Sequence, residues 1–192
     1  MLTELFKTEE RAKILRYVMF RSNSSVSEVS RSAGVNKGLV SRYLRLLEDL
    51  GLLKRDGRKY ALLDGALPRA VRLILNLEKL NLSTLGISSI EGLKGLKGLG
   101  LYGSWAHGTN HLDSDLDVWI RANNLPEESD LARLQRDLSL LTGTEVNLLV
   151  LTPQKLAELK INDPPFYSSL IMNSLTIKGK PLGEGESLEE PR

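Results

Sequence analysis

From Leu5 to Phe20 the apolar positions return at helical spacing. Ile14, Leu15, Val18 and Met19 form one stripe, which predicts a helix with a single buried face. A shorter helix follows in "VSEVSRSAG", stopped by Gly34. The third lies in "VNKGLVSRYLRLLEDLG", with Asn36 as N-cap and Gly51 as its stop. Val40, Tyr43, Leu44, Leu47 and Leu50 point its inner face one way, and Gly38, Ser41, Arg42 and Arg45 lie opposite. The pattern then changes to short strand-like runs in "LLKRDGRKYALLD", joined at Asp56-Gly57 in the manner of a tight hairpin.

Residues 66–98 are harder to read. "LPRAVRLILNLEKL" suits a helix opened near Pro68, although Leu73, Leu75 and Leu77 also fit the alternation of a strand. "GLKGLKGLG" repeats every three residues too briefly to define an architecture, and reads as a linker or docking surface. Beyond it, "GLGLY" predicts a buried strand ending in a Gly103-Ser104 turn, with a short helix from Trp105. "SDLDVWIRA" predicts a second strand, placing Asp115, Asp117 and Trp119 on one face and Leu116, Val118 and Ile120 on the other. A helix with Leu131, Leu134, Leu138 and Leu141 on one face ends at Gly143, and "TEVNLLVLT" follows as a third strand. "LTPQKLAELK" and a helix opened by Pro164-Pro165 complete the folded part.

Charge divides the chain. Residues 1–80 hold 16 Lys and Arg against 9 Asp and Glu, a balance of +7, and residues 81–192 hold 10 against 15, a balance of −5. A basic half suits a polyanion, and an acidic half suits cations or a protein face. No cysteine is present, so thiolate metal sites, disulfides and a cysteine nucleophile are excluded. The start of the chain lacks the basic and apolar regions of a signal peptide, and no apolar run reaches membrane-spanning length. The expectation is a cytoplasmic protein with no membrane partner.

Three helices followed by a basic hairpin, over residues 8–64, resemble the winged-helix regulators. By that resemblance Lys37, Ser41, Arg42 and Arg45 enter the major groove of double-stranded DNA, and Arg58 and Lys59 hold the neighbouring phosphates. A winged helix used only for protein contacts is the alternative. Spare apolar surface would pair two chains on a palindromic site, which makes a homodimer a further expectation.

The densest chemistry lies in "YGSWAHGTNHLDSDLDVWI", residues 102–120. Two carboxylates on neighbouring same-face positions repel unless a cation lies between them, and Mg²⁺ takes such oxygen ligands while leaving places for water and triphosphate. Asp113 reads as a loop residue bonding its own backbone, and His107 and His111 as solvated histidines, with a metal pair as the alternative. For Trp119, stacking on a base competes with packing under the site. The combination of Gly-Ser, about ten residues, and Asp-x-Asp on a strand resembles the nucleotidyltransferases of the DNA polymerase beta superfamily. The whole run is most similar to the minimal nucleotidyltransferases of archaea and bacteria.

This resemblance implies an α+β chain. Residues 1–65 form a winged helix-turn-helix domain, 66–96 a connecting helix or linker, 97–182 a minimal nucleotidyltransferase domain with a small mixed sheet and flanking helices, and 183–192 a mobile acidic tail. It implies that Gly103, Ser104 and Gly108 serve the nucleotide and that Asp115 and Asp117 bind catalytic Mg²⁺. Where the family carries a third carboxylate this chain has Asn147, and Glu145, two residues earlier, is the candidate replacement. The implied activity is transfer of a nucleoside monophosphate from a nucleoside triphosphate to a hydroxyl acceptor. The alternative is a regulator or antitoxin that binds nucleotide with little or no chemistry. Several members of the family pair with small helical toxin proteins, so a toxin is an implied partner; a third reading has the basic domain hold an RNA acceptor such as tRNA.

Overall fold

The computed structural model describes residues 5–80, 90 and 92–183. The acidic stretch from 184 lies outside the described residues, as do most of the residues between 81 and 91. The described chain is α+β and divides into two compact units that do not follow chain order. One comprises residues 1–78 with 108–112, the other 79–107 with 113–192.

In the first unit the helices are α1 (Glu9–Val18), α2 (Val26–Ala33) and α3 (Lys37–Asp49). Each begins where a side chain accepts an otherwise unpaired backbone N–H: Thr8 from Arg11, Ser25 from Glu28, and Asn36 from Gly38. Ser25 and Glu28 form a reciprocal capping box, with the Glu28 carboxylate accepting the Ser25 amide at 2.7 Å. The first helix is shorter than the apolar stripe implied, because the Thr8 cap starts it only at Glu9.

Strands β1 (Asn23–Ser25), β2 (Leu53–Asp56) and β3 (Lys59–Leu62) form a small antiparallel sheet in the order β1-β3-β2. Asp56 pairs with Lys59, so the hairpin turn consists of Gly57 and Arg58, one residue later than the Asp56-Gly57 signal suggested. Gly57 has φ +58° at the first central position, where primed turns require a positive φ. The segment that suited either helix or strand is helix α4 (Ala66–Lys79). Ile14, Leu15, Val40, Tyr43, Leu44 and Leu47 are buried in the core that these elements share. Tyr43 Oη donates to the Leu5 carbonyl at 2.7 Å, and burial raises the phenol pKa.

The second unit is built on a four-stranded sheet of β4 (Leu96–Leu101), β5 (Leu116–Ala122), β6 (Val146–Leu151) and β7 (Leu175–Gly179), ordered β6-β5-β4-β7. Only β5 and β6 run parallel, so the sheet is mixed. Helices α5 (Gly103–His107), α6 (Glu128–Thr142), α7 (Pro153–Asn162) and α8 (Pro164–Asn173) complete it. One face of the sheet packs Leu116, Val118 and Ile120 with Leu134 and Leu138 of α6. Trp119 packs on the other side with Leu151, Leu156 and Leu170.

"GLKGLKGLG" is not a linker at its C-terminal end, which forms β4. A Cβ on Gly100 would overlap the Trp119 indole and the Leu175 carbonyl, so these glycines make room for a ring on the adjacent strand. No helix among the described residues is long and apolar enough to cross a membrane.

Candidate functional site

The sheet brings the Gly-Ser turn, the Asp-x-Asp pair and the third strand together. Strand β4 ends at Leu101, and α5 begins at Gly103, two residues ahead of the expected start at Trp105. The Tyr102 amide donates to the Asp117 carbonyl at 3.1 Å, which ties the beginning of this turn to β5. Gly103 has φ +66°, and a Cβ there would overlap Oδ2 of Asp117. The carboxylate therefore rests against the Gly103 backbone, and glycine is required both by conformation and by space. Ser104 follows as the second residue of α5.

Asp117 lies in β5 and is half-buried, whereas Asp115 is exposed immediately before that strand. Across the parallel ladder Asp117 pairs with Asn147, whose Nδ2 donates to Asp117 Oδ1 at 3.1 Å. An ionised carboxylate offers only acceptors, so the amide must turn its N–H₂ group toward it. Glu145 is exposed and precedes β6, which starts at Val146; its carbonyl accepts the Leu116 amide at 2.8 Å. It is held beside the start of β5 by its backbone, without being part of the expected strand. Tyr102, next to Gly103, has its phenol pKa raised by burial and then by the nearby Asp117 charge.

Burial bears on two readings of this region. Trp119 is fully buried, so it packs under the sheet and is not available to stack on a base. His107 and His111 are both exposed and fall in different compact units, and no group of three or more His, Cys, Asp or Glu able to hold a metal occurs among the described residues. Asp115 and Asp117 lie two residues apart at the entry to β5, and carboxylate oxygens are the kind of donor that Mg²⁺ takes together with substrate phosphates.

Gly108 belongs to the first unit and packs on α4; a Cβ there would overlap the Arg69 carbonyl. That close approach accounts for its glycine. In the first unit the proposed DNA contacts lie on one helix and one hairpin. Lys37, Arg42 and Arg45 are exposed on α3, with Ser41 half-buried, while Arg58 and Lys59 are exposed at the hairpin. Arg72 and Asn110 were not singled out from the sequence, because neither is a motif-defining position and only the fold brings α4 to the loop that carries Asn110. Arg72 Nη1 donates to the Asn110 carbonyl at 3.3 Å, and the Asn76 and Asn110 side-chain amides bond each other at 2.9 and 3.2 Å.

Comparison with known families fits both halves. Residues 8–55 match the family described as bacterial regulatory protein, arsR family, and residues 88–174 match the nucleotidyltransferase domain. The chain joins an ArsR-type helix-turn-helix to a nucleotidyltransferase domain. No curated protein matches it. Among solved structures, a mutant form of the toxin-antitoxin MntA-HpeT shares 15% identity over 51% of this chain and 71% of its own, with a TM-score of 0.38. A toxin-antitoxin structure with AMP-PNP shares 17% identity over 57% and 72%, also with a TM-score of 0.38. The Gly103-Ser104 turn, Asp115, Asp117 and Asn147 all fall inside the matched nucleotidyltransferase domain.

Proposed function

We propose that the chain is a DNA-binding protein whose nucleotidyltransferase domain binds a nucleoside triphosphate with Mg²⁺ and transfers the nucleoside monophosphate to a hydroxyl acceptor. The observation that carries this reading is the seating of Asp117 against Gly103, which couples the candidate phosphate turn to one of the two candidate metal carboxylates. The Gly103 backbone N–H and the Ser104 hydroxyl would bind phosphate oxygens, and Asp115 with Asp117 would hold the ion. When bound, Mg²⁺ neutralises triphosphate charge. The acceptor oxygen would form its bond to the α-phosphorus as the bond to pyrophosphate breaks, and the acceptor proton would pass to a carboxylate. Glu145 is the nearby candidate for that proton, since Asn147 is neutral and a poor base.

The Asn147–Asp117 hydrogen bond favours a second reading, a regulator that binds nucleotide without transferring it. By the sequence resemblance this amide stands where the family carries a third carboxylate, and two-metal transfer uses such a group to position the ion at the attacking oxygen. Incorporation of label from α-labelled ATP, GTP, CTP and UTP separates the readings. The acceptors tested are tRNA, the protein itself and a co-expressed toxin candidate, with the Asp115→Asn, Asp117→Asn double variant as control. Label dependent on the aspartates supports transfer and identifies the acceptor. Mg²⁺-dependent nucleotide binding with no label on any acceptor supports the regulator. A small helical toxin and pairing of two copies remain proposals from the sequence resemblance, tested by co-purification and by the solution mass of the chain.

A further inference from the structure

Within the first unit, a pocket of about 360 Å³ opens beside α4 and is lined in part by Ser22, Asp64, Arg69, Arg72, Thr109 and His111. Its charges are not balanced. Arg69 grips Asp64 with two parallel bonds, Nε to Oδ1 at 3.0 Å and Nη2 to Oδ2 at 2.9 Å, so the carboxylate already has its cation. Arg72 is only 3% exposed, and its Nε is buried with no hydrogen-bond partner. Arg72 Nη1 donates to the Asn110 carbonyl, a neutral acceptor.

A guanidinium removed from water with an N–H unpaired is costly, and proteins normally place such a group opposite an anion. Burial accordingly lowers the Arg72 pKa, with Asp64 raising it and Arg69 lowering it further. A planar guanidinium in a pocket with a second arginine at its edge matches the oxygens of a phosphate better than a single carboxylate oxygen does. Thr109 and His111 line the same pocket and make its wall polar.

We propose that this pocket binds the phosphate group of a small phosphorylated molecule, with Arg72 as the buried cation and Arg69, Thr109 and His111 around it. None of the residues named around the pocket belongs to the Gly103-Ser104 turn, and the proposal does not rest on the nucleotide reading. Thr109 and His111 nevertheless lie between Ser104 and Asp115 in the chain. A ligand here would hold the segment that connects the two candidate catalytic motifs.

Calorimetric titration of the full chain with inorganic phosphate and with ribose 5-phosphate tests the idea, in EDTA and at ionic strength matched with chloride. Saturable binding of one or both is expected. Arg72→Gln should weaken it about tenfold or more, the scale of one charge-assisted hydrogen bond. Ser104→Ala should leave it unchanged. Tighter binding of ribose 5-phosphate identifies a phosphate monoester as the ligand class; equal binding identifies the free anion. If Arg72→Gln does not fold, Arg69→Gln with Thr109→Val reads the same site from its edge and should also weaken binding. Absence of saturable binding through the millimolar range overturns the proposal. So does binding indifferent to the pocket variants, or binding lost in Ser104→Ala, which would place it at the nucleotide turn.

Discussion

At the scale of single residues the decisive contacts involve Asp117, which touches the Gly103 backbone on one side and Asn147 on the other. Gly103→Ala asks for two things at once, a left-handed conformation costing about 1–2 kcal/mol for an L-residue and displacement of the carboxylate. Equilibrium unfolding should register that loss, and titration with a fluorescent triphosphate analogue in Mg²⁺ should show affinity reduced by about tenfold or more. Unaltered affinity would detach the turn from the nucleotide. Asn147→Asp makes the converse change, replacing a hydrogen-bond donor with a second negative charge directly opposite Asp117. Like charges facing across strands destabilise, so the variant should melt below the wild type in EDTA and recover with Mg²⁺. Label transfer should rise about tenfold or more if the third carboxylate is what the site lacks. A variant indifferent to Mg²⁺ in both melting and transfer would remove Asn147 from the metal chemistry.

Elements differed in how much of them could be read from the sequence, for physical reasons. Helix α3 was legible because Asn36 caps it and its buried positions repeat at helical spacing, which also made its basic face visible. Replacing Arg42 and Arg45 together by alanine removes exposed charges without touching that core. Helicity should remain, while duplex affinity falls and the slope of log affinity against log salt drops by about two units, close to one per lost phosphate contact. An unchanged slope in a fluorescence anisotropy titration would move the DNA surface elsewhere. Strand β4 was read only from Gly98 on, since Leu96 and Lys97 belong to the glycine-punctuated repeat, and the reason for Gly98 and Gly100 emerges only when Trp119 is seen lying over them from the neighbouring strand. The helical nature of α4 was similarly ambiguous, because its leucines satisfy two periods and only packing of Val71 and Leu75 into the first core selects one. The Asp-x-Asp pair and Gly-Ser turn were readable from spacing, whereas the Asn147 contact depends on a parallel register that spacing alone does not determine.

On the scale of the molecule, the two compact units are interleaved along the chain, and a fragment cut at residue 80 would not contain the whole of the first one. The excised piece loses Gly108–Leu112, and with it the reciprocal Asn76–Asn110 amide bonds, the Arg72 contact to Asn110, and the packing of Gly108 on α4. Its helices, caps and hairpin remain, so the fragment should still fold and bind DNA. In the fragment the polar groups on α4 regain water, which limits the penalty to the net value of the lost bonds and burial. Three hydrogen bonds at about 0.5–1.5 kcal/mol each suggest a deficit of about 2–4 kcal/mol. Urea unfolding of residues 1–80 should therefore have a midpoint clearly below that of the same unit in the full chain. A linked peptide restoring residues 108–112 should recover part of the difference, but not when Asn110 is alanine. Equal midpoints for the fragment and the full chain would show that the inserted segment contributes nothing to the first unit and that its amide pair is energetically neutral. A deficit abolished by Asn110→Ala in the full chain would instead assign the stabilisation to that pair, making the loop between the Gly-Ser turn and the aspartates part of the DNA-binding unit's own core.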